Sequence, residues 1–447
     1  MTRQTDITVI DAIMGTGKTT WAIDHMNEGR YGQLFEGAPG YLYITPYLEQ
    51  ADRIQRSCPG LKFRTPEAVK GRKLDGLNQL LEVGENIAST HALLYRMDQD
   101  TYEILQDGNY TLVIDEETEF VKQYDGLTKQ DTAHLFERQM VYVDEDGRVR
   151  WNYDIHDGYP ANGRFADVKA LCDNGNLIRV NGKFWIWEFP IEFLQCFQKV
   201  YILTYLFEGS MLSTYLKLNR MPYQVKTLVD GEVVDYDGTR EREQLKELAE
   251  LVEVVQDDRM NAIGVPQGRA RCPLSSTWFT NDWMRGGGKK AVQLRKNLLS
   301  HYRNNVKGGS KAAMWSSLDK DRKNLKGNGY AGGFVPCNAK ATNDYIDRYN
   351  LAYCINVFPY QPIRRYFEEH KQVVDADLYA ISQLAQWVWR SRIRNDKAPK
   401  EDRKVTLYLP SQRMRQLLAD WLAGKWTHKE LRAPERGDQV VPLRRCA

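Results

Sequence analysis

Ile7-Thr8-Val9-Ile10-Asp11-Ala12-Ile13-Met14-Gly15-Thr16-Gly17-Lys18-Thr19-Thr20 decides how the chain is to be read. A β-branched apolar run, Ile7–Ala12, breaks at two closely spaced glycines, and a polar, helix-compatible stretch, Lys18–Asn27, follows. Strand, glycine turn and helix in that order form an anion cradle. Glycines let backbone N–H groups turn inward around clustered oxygens, and the helix N-terminus adds partial positive charge. In such a P-loop, Met14, Gly15, Thr16, Gly17, Lys18, Thr19 and Thr20 surround the phosphates. Lys18 reaches the β- and γ-phosphates, and the Thr19 hydroxyl ligates Mg²⁺. The usual pattern starts with Gly, where this chain has Ala12. An incidental glycine turn would not need the strand before it or the helix after it.

Further along, the same alternation continues. Tyr41–Thr45 precedes the helical Tyr47–Arg56, and Thr111–Ile114 runs into acidic residues. Short apolar runs alternating with helix-period segments predict βαβ units and a parallel sheet buried on both faces. Val113-Ile114-Asp115-Glu116-Glu117 sets carboxylates at the C-terminal end of one such strand. A phosphate-loop site needs an Asp for the Mg²⁺ shell and often a Glu to take a proton from attacking water. Asp115 fits the metal role and Glu116 the base. Taken alone, an acidic turn after a strand is more often a helix cap.

From about 123 to 192 the texture changes. Met140–Val143 and Arg148–Trp151 flank Asp144-Glu-Asp-Gly147, while Leu177–Val180 and Lys183–Trp187 flank Asn181-Gly182. Both are β-hairpin signals, so a hairpin-rich insertion interrupts the α/β pattern until Val200–Leu206 returns to the sheet. A duplex-splitting wedge is one role for it; a decorative subdomain is the blander one.

Residues 230–258 are acidic, with Leu245, Leu248 and Leu251 at helical spacing, which suits a solvated helix or connector. Charge reverses over 285–326, where Lys and Arg dominate. Lys289, Lys290, Arg295 and Lys296 suit a phosphate track. Trp283, Tyr302 and Trp315 are candidates for base stacking there, or else core. Two more apolar runs, Leu351–Val357 and Val405–Leu409, imply a second sheet.

The chain has 447 residues, 42% hydrophobic and 27% charged, with a formal net charge of +3. That composition excludes intrinsic disorder and fibrous architectures. No window approaches the roughly 18–20 uninterrupted apolar residues of a membrane helix. Seven scattered cysteines without a CxxC pair argue against a disulfide framework or zinc ribbon and suit a reducing cytosol.

Near the far end, Gln383–Arg394 is compatible with a helix. Arg390 and Arg394, four apart, would share a face, with Gln386 one turn earlier. A planar guanidinium can fork onto a γ-phosphate and stabilise its transition-state charge. A basic, solvated helix end is the competing reading.

These segments together resemble the superfamily 2 helicases and translocases of DEAD/DEAH-like type. Ala12 to Thr19 match that family's first motif, Ala-x-x-Gly-Ser/Thr-Gly-Lys-Thr, including the Ala, and Asp115-Glu116 match the opening of its second. Tyr43-Ile44-Thr45-Pro46 and Ser89-Thr90-His91 stand where the family places conserved strand ends. Leu203-Thr204-Tyr205 matches the third motif loosely, and Ala341-Thr342-Asn343 stands for the fifth. Gln386 and Arg390 match the sixth, Gln-x-x-x-Arg-x-x-Arg, but Ile393 occupies the next position and Arg394 comes one residue late.

The resemblance is to a compact, phage- or plasmid-type member with two RecA-like α/β domains on parallel sheets. It implies domain 1 at 1–225 with the hairpin insertion, an acidic connector at 226–262 and domain 2 at 263–447. It further implies ATP and Mg²⁺ as cofactors, with Lys18, Glu116, Arg390 and Arg394 catalytic, Gln386 on the nucleotide, and Thr45, Pro46, Thr90 and Thr342 on the nucleic acid. The partner would be single-stranded or forked nucleic acid, preferably DNA, in replication or recombination. Other replication proteins are further partners, with no membrane involved, and the setting is cytoplasmic, that of a bacterial host for a phage-encoded chain. The alternatives are a packaging or terminase-type ATPase and a non-hydrolysing, nucleotide-dependent scaffold.

Overall fold

A computed structural model describes residues 5–29, 39–69, 71–116, 118–268, 271–304, 309–339 and 344–426. Thr342 and Glu117 lie outside the described residues. Contacts divide the chain into two units. One contains Met1–Asp11, Gly17–Val234 and Tyr360–Val374; the other contains Ala12–Thr16, Asp235–Pro359 and Asp375–Ala447.

The first unit is built on β1 (Asp6–Asp11), β2 (Gly40–Thr45), β3 (Ile87–Thr90) and β4 (Tyr110–Asp115). After a long excursion through β5 (Val121–Gln123), β6 (Val141–Val143), β7 (Val149–Trp151), β8 (Leu177–Val180) and β9 (Phe184–Glu188), the chain returns as β10 (Lys199–Thr204). β11 (Tyr223–Val229) and β12 (Glu232–Asp235) complete a seven-stranded sheet in the order β12-β11-β1-β10-β4-β2-β3. β1, β10, β4, β2, β3 and β11 pair in parallel. Leu42–Ile44 and Leu112–Ile114 are buried, as continuous apolar runs in a sheet covered on both faces must be.

Register decides what this sheet can carry. Asp11 pairs with Thr204, Leu203 with Asp115, and Thr45 with Thr90. The C-terminal ends of β1, β10, β4, β2 and β3 therefore line up along one edge, where open parallel sheets place their ligands. The late strand β10 lies between the strand that leads into the glycine turn and the strand that ends in Asp115.

Within the excursion, β6 and β7 form a hairpin across Asp144–Gly147, and β8 and β9 form another across Asn181-Gly182, both at positive φ. β5 pairs antiparallel with β9. A separate small core of Leu135, Val149, Trp151, Val168, Cys172 and Leu177 holds this part together. The helix Gln361–Glu369 packs Ile363, Tyr366 and Phe367 inward. Its Tyr366 hydroxyl donates to the buried Glu188 carboxylate at the end of β9, which also accepts from Arg148 at 3.2 Å. The later half of the chain thus lends one helix to the first unit, a return that no periodicity announced.

The second unit has a four-stranded parallel sheet of β13 (Val252–Val254), β14 (Ala313–Ser316), β15 (Asn350–Tyr353) and β16 (Val405–Tyr408), in the order β13-β16-β15-β14. The helix Lys289–Asn304 lays Ala291, Leu294, Leu298 and Tyr302 on this core at three- and four-residue spacing. Tyr302 and Trp315 are core residues, so of the three candidate stacking aromatics only Trp283, 38% exposed, reaches the surface. The stretch read as an acidic connector, 226–262, holds most of β11, then β12, the helix Thr239–Ala249 and β13. Asp230-Gly231, both at positive φ, forms the two-residue turn between β11 and β12.

His301, fully buried beside Tyr302 and Tyr408, faces the Leu351 carbonyl at 3.1 Å. Burial lowers its pKa to about 4. The unfolded chain therefore takes up a proton near pH 6.5 that the folded chain refuses until about 4, and stability falls as pH drops through that window. Urea unfolding should show about 3 kcal/mol of acid destabilisation from this group. His301→Gln should remove that share of the slope; an unchanged slope would contradict the burial argument.

Candidate nucleotide site

β1 delivers the chain into the glycine turn at the ligand edge of its sheet. Gly15 and Gly17 have φ of +82° and +92°, a region that a side chain disfavours. Thr16 closes the turn through its hydroxyl on the Ile13 carbonyl at 2.8 Å, and the Trp21 N–H reaches the Gly17 carbonyl at 2.8 Å in the first turn of the helix Lys18–Gly29. Ala22, Ile23 and Met26 bury one face of that helix and fix its direction. Met14 and Thr16 are half-buried, and Thr20 is exposed.

Lys18 and Thr19 then meet the end of β4. The Thr19 hydroxyl donates to Asp115 Oδ2 at 2.9 Å, although the two are 96 positions apart. Burial pushes the Lys18 ammonium down to about 8, while Asp11, Asp115 and Glu116 all pull the other way. A cation facing three carboxylates out of bulk water is poised to exchange those partners for phosphate oxygens. Burial raises the Asp115 pKa; hydrogen bonds from Tyr43 and Thr19 and the charges of Lys18 and Arg53 oppose that rise.

Glu116 leaves the strand with φ +64° and its N–H on the Leu203 carbonyl at 3.1 Å. A non-glycine residue in this conformation costs free energy and persists only where its surroundings impose it, which is common at working sites.

Two residues that were given no role from the sequence also shape the edge. Asp11, buried at the end of β1, accepts the N–H groups of Leu206 at 2.8 Å and Phe207 at 2.9 Å. It thereby fixes the turn after β10, where Leu206 has φ +56°. Tyr43, buried on β2, donates to Asp115 Oδ2 at 2.7 Å. Their sequence signals are a carboxylate closing an apolar strand and a phenol within a doubly buried one, since each needs a partner there.

Thr45 is buried at the end of β2, bonded to Gln50, with Pro46 half-buried after it; Thr90 sits level with Thr45 on the next strand. The second unit holds the remaining candidates. Gln386 lies on the helix Ala376–Trp389, and Arg390 caps its C-terminus. The expectation that Arg390 and Arg394 share one helical face is corrected: Ser391 is extended, and Arg392–Arg394 form a separate 3₁₀ turn. The Ser391 hydroxyl takes the Val388 carbonyl at 2.7 Å, closing the helix before Arg394. Arg392 packs over the Tyr349 ring at 4.2 Å. Lys289, Lys290, Arg295 and Lys296 are exposed on the outer face of the helix Lys289–Asn304.

The residues present fit Mg²⁺. Thr19 and Asp115 offer one hydroxyl and one carboxylate, hard oxygen donors that leave the remaining positions of an octahedral ion to phosphates and water. Among the described residues, no three or more His, Cys, Asp and Glu side chains gather as a metal cluster, and no helix is long and apolar enough to cross a membrane.

Sheets and site together define a mixed α/β protein with two parallel-sheet units, in the first of which Thr19 meets an acidic strand end. The chain belongs to the YonV family. It is 34% identical over 430 residues to the SPbeta prophage-derived uncharacterized protein YonV of Bacillus subtilis (strain 168), which covers 93% of this chain and 98% of that protein. Residues 246–422 match the YonV C-terminal Rossmann-like domain, and residues 121–187 match the YonV middle domain, the span from β5 to β9. A solved structure named XPD_APO aligns with a TM-score of 0.48 at 12% identity, over 93% of this chain and 96% of that one.

Proposed function

We propose that this protein is an ATP-dependent nucleic-acid helicase or translocase, acting preferentially on DNA in replication or recombination. The observation that carries the reading is the convergence of Lys18 and Thr19 with Asp115 and Glu116 at one sheet edge, across 97 residues of sequence. Backbone N–H groups of the turn from Met14 to Thr20 cradle the triphosphate, and Lys18 leaves its carboxylates for the β- and γ-phosphates. Thr19 and Asp115 hold Mg²⁺, which when bound neutralises phosphate charge. Glu116 accepts the proton of the attacking water. We assign γ-phosphate recognition to Gln386, Arg390 and Arg394; the guanidinium groups of the two arginines would stabilise the developing charge.

Thr45, Pro46 and Thr90 are assigned to the nucleic-acid backbone on the first unit, with Thr342 further along the chain. On the second unit, Lys289, Lys290, Arg295 and Lys296 form a basic face with half-exposed Val292 among them. Trp283 stands on the preceding helix, its indole N–H on Asp321 at 2.7 Å. Cations neutralise phosphates, and an anchored indole offers a stacking plane.

The test is ATP turnover with and without single-stranded DNA or RNA, followed by strand separation on a forked duplex. Stimulation by a single strand, stronger with DNA, is expected. Neutralising the four cations to Gln should weaken single-strand binding about 10-fold or more at low salt and flatten its salt dependence by up to about three units of slope. No stimulation by either nucleic acid would remove the motor reading, and an unchanged salt slope would place the track elsewhere.

A further inference from the structure

We infer that Tyr43 is a positioning residue for metal-bound nucleotide: its hydroxyl fixes the Asp115 carboxylate so that the other carboxylate oxygen faces the ion. The inference rests on the proposed nucleotide site and names a further member of it.

The argument begins with the shared acceptor. Asp115 Oδ2 receives the Tyr43 hydroxyl at 2.7 Å and the Thr19 hydroxyl at 2.9 Å. The two donors differ in what they can do next. Thr19 sits at the start of a helix, next to the glycine turn, and its hydroxyl is the one needed on the metal. Tyr43 is fully buried in β2, level with Val113 of β4, and its ring has nowhere else to go. When Thr19 turns to the ion, the Tyr43 bond remains. It then holds Oδ2 alone, which fixes the plane of the carboxylate and directs Oδ1.

The chemistry of the pair supports the direction of the bond. A phenol buried in a sheet interior donates to the carboxylate; a carboxylate oxygen cannot donate in return while ionised. Such outer partners orient metal ligands, and losing one costs about 10–100-fold in metal affinity. The geometry also explains why a tyrosine stands in a strand whose neighbours Leu42 and Ile44 are aliphatic. An unpartnered hydroxyl would be costly on a fully buried side chain, and Asp115 supplies its partner.

Tyr43→Phe keeps the ring and removes only the hydroxyl. The measurement is binding of a fluorescent ATP analogue to the full chain, titrated with Mg²⁺ and repeated in EDTA, alongside thermal melting in EDTA. The Mg²⁺ half-saturation is expected to rise about 10-fold, with affinity in EDTA and melting temperature close to wild type. If wild type shows Mg²⁺-dependent binding and the variant's half-saturation is unchanged, the inference falls while the nucleotide site stands. Parallel losses of EDTA affinity and melting temperature would make Tyr43 a structural residue only, and would overturn it equally. A wild type that does not bind the analogue at all removes the nucleotide site, and the inference with it.

Discussion

Glu116→Gln should lower ATP turnover by about 10²–10⁴-fold and leave nucleotide affinity close to wild type. The amide keeps the shape of the side chain and the backbone bond to Leu203, so the left-handed turn after β4 survives. What it loses is the ability to take a proton. Because Glu116 also helps keep Lys18 charged, the substitution removes one of three anions around that ammonium, while Asp11 and Asp115 remain. The split between binding and turnover is the informative part. A steady-state assay paired with equilibrium nucleotide binding separates a hydrolysing motor from a protein that merely responds to nucleotide occupancy. Unchanged turnover would favour the non-hydrolysing scaffold, and a joint loss of binding and turnover would make Glu116 a structural residue.

Much of this site was legible because its parts are local. Gly15, Gly17, Lys18 and Thr19 lie within five positions, and an acidic pair closing the run Thr111–Ile114 is visible in the sequence. What could not be read was the pairing that brings them together. It depends on β10 entering between β1 and β4 after an excursion of more than 80 residues. Parallel strands carry no register signal of their own, since both faces are apolar. The excursion's two hairpins were legible for the opposite reason, as their turns are set by neighbouring residues, Asn181-Gly182 above all. Asp11 and Tyr43 stayed hidden because their meaning lies in partners 195 and 72 positions away.

The helix that carries Gln386 does not continue past Trp389. The spacing of Gln386, Arg390 and Arg394 matches a helix face, but intrinsic propensity says little about where such a helix stops. The extended Ser391 and its hydroxyl on Val388 decide that locally. The helix Gln361–Glu369 shows the same limit at a larger scale. Its amphipathic pattern is plain, but nothing in that pattern says which sheet receives it. The buried Glu188, paired with Tyr366 and Arg148, selects the sheet of β5, β8 and β9.

Lys18→Ala should abolish nucleotide-dependent activity, with turnover down by at least about 10²–10³-fold and triphosphate affinity falling with it. The charges of Asp11, Asp115 and Glu116 all act on Lys18. Removing it leaves those anions to repel incoming phosphate, so binding suffers before any chemistry. That separates this variant from Glu116→Gln, in which binding persists. The fold should survive, because the helix is anchored by Ala22, Ile23 and Met26 rather than by Lys18, and circular dichroism with thermal melting checks this. Lys18→Arg sharpens the result. It restores the charge but replaces a compact ammonium with a planar fork of different shape and donor geometry. Activity that stays low in both variants requires a point charge at this position; hydrolysis that persists in Lys18→Ala would mean that the glycine turn does not hold the triphosphate, and the motor reading would end there.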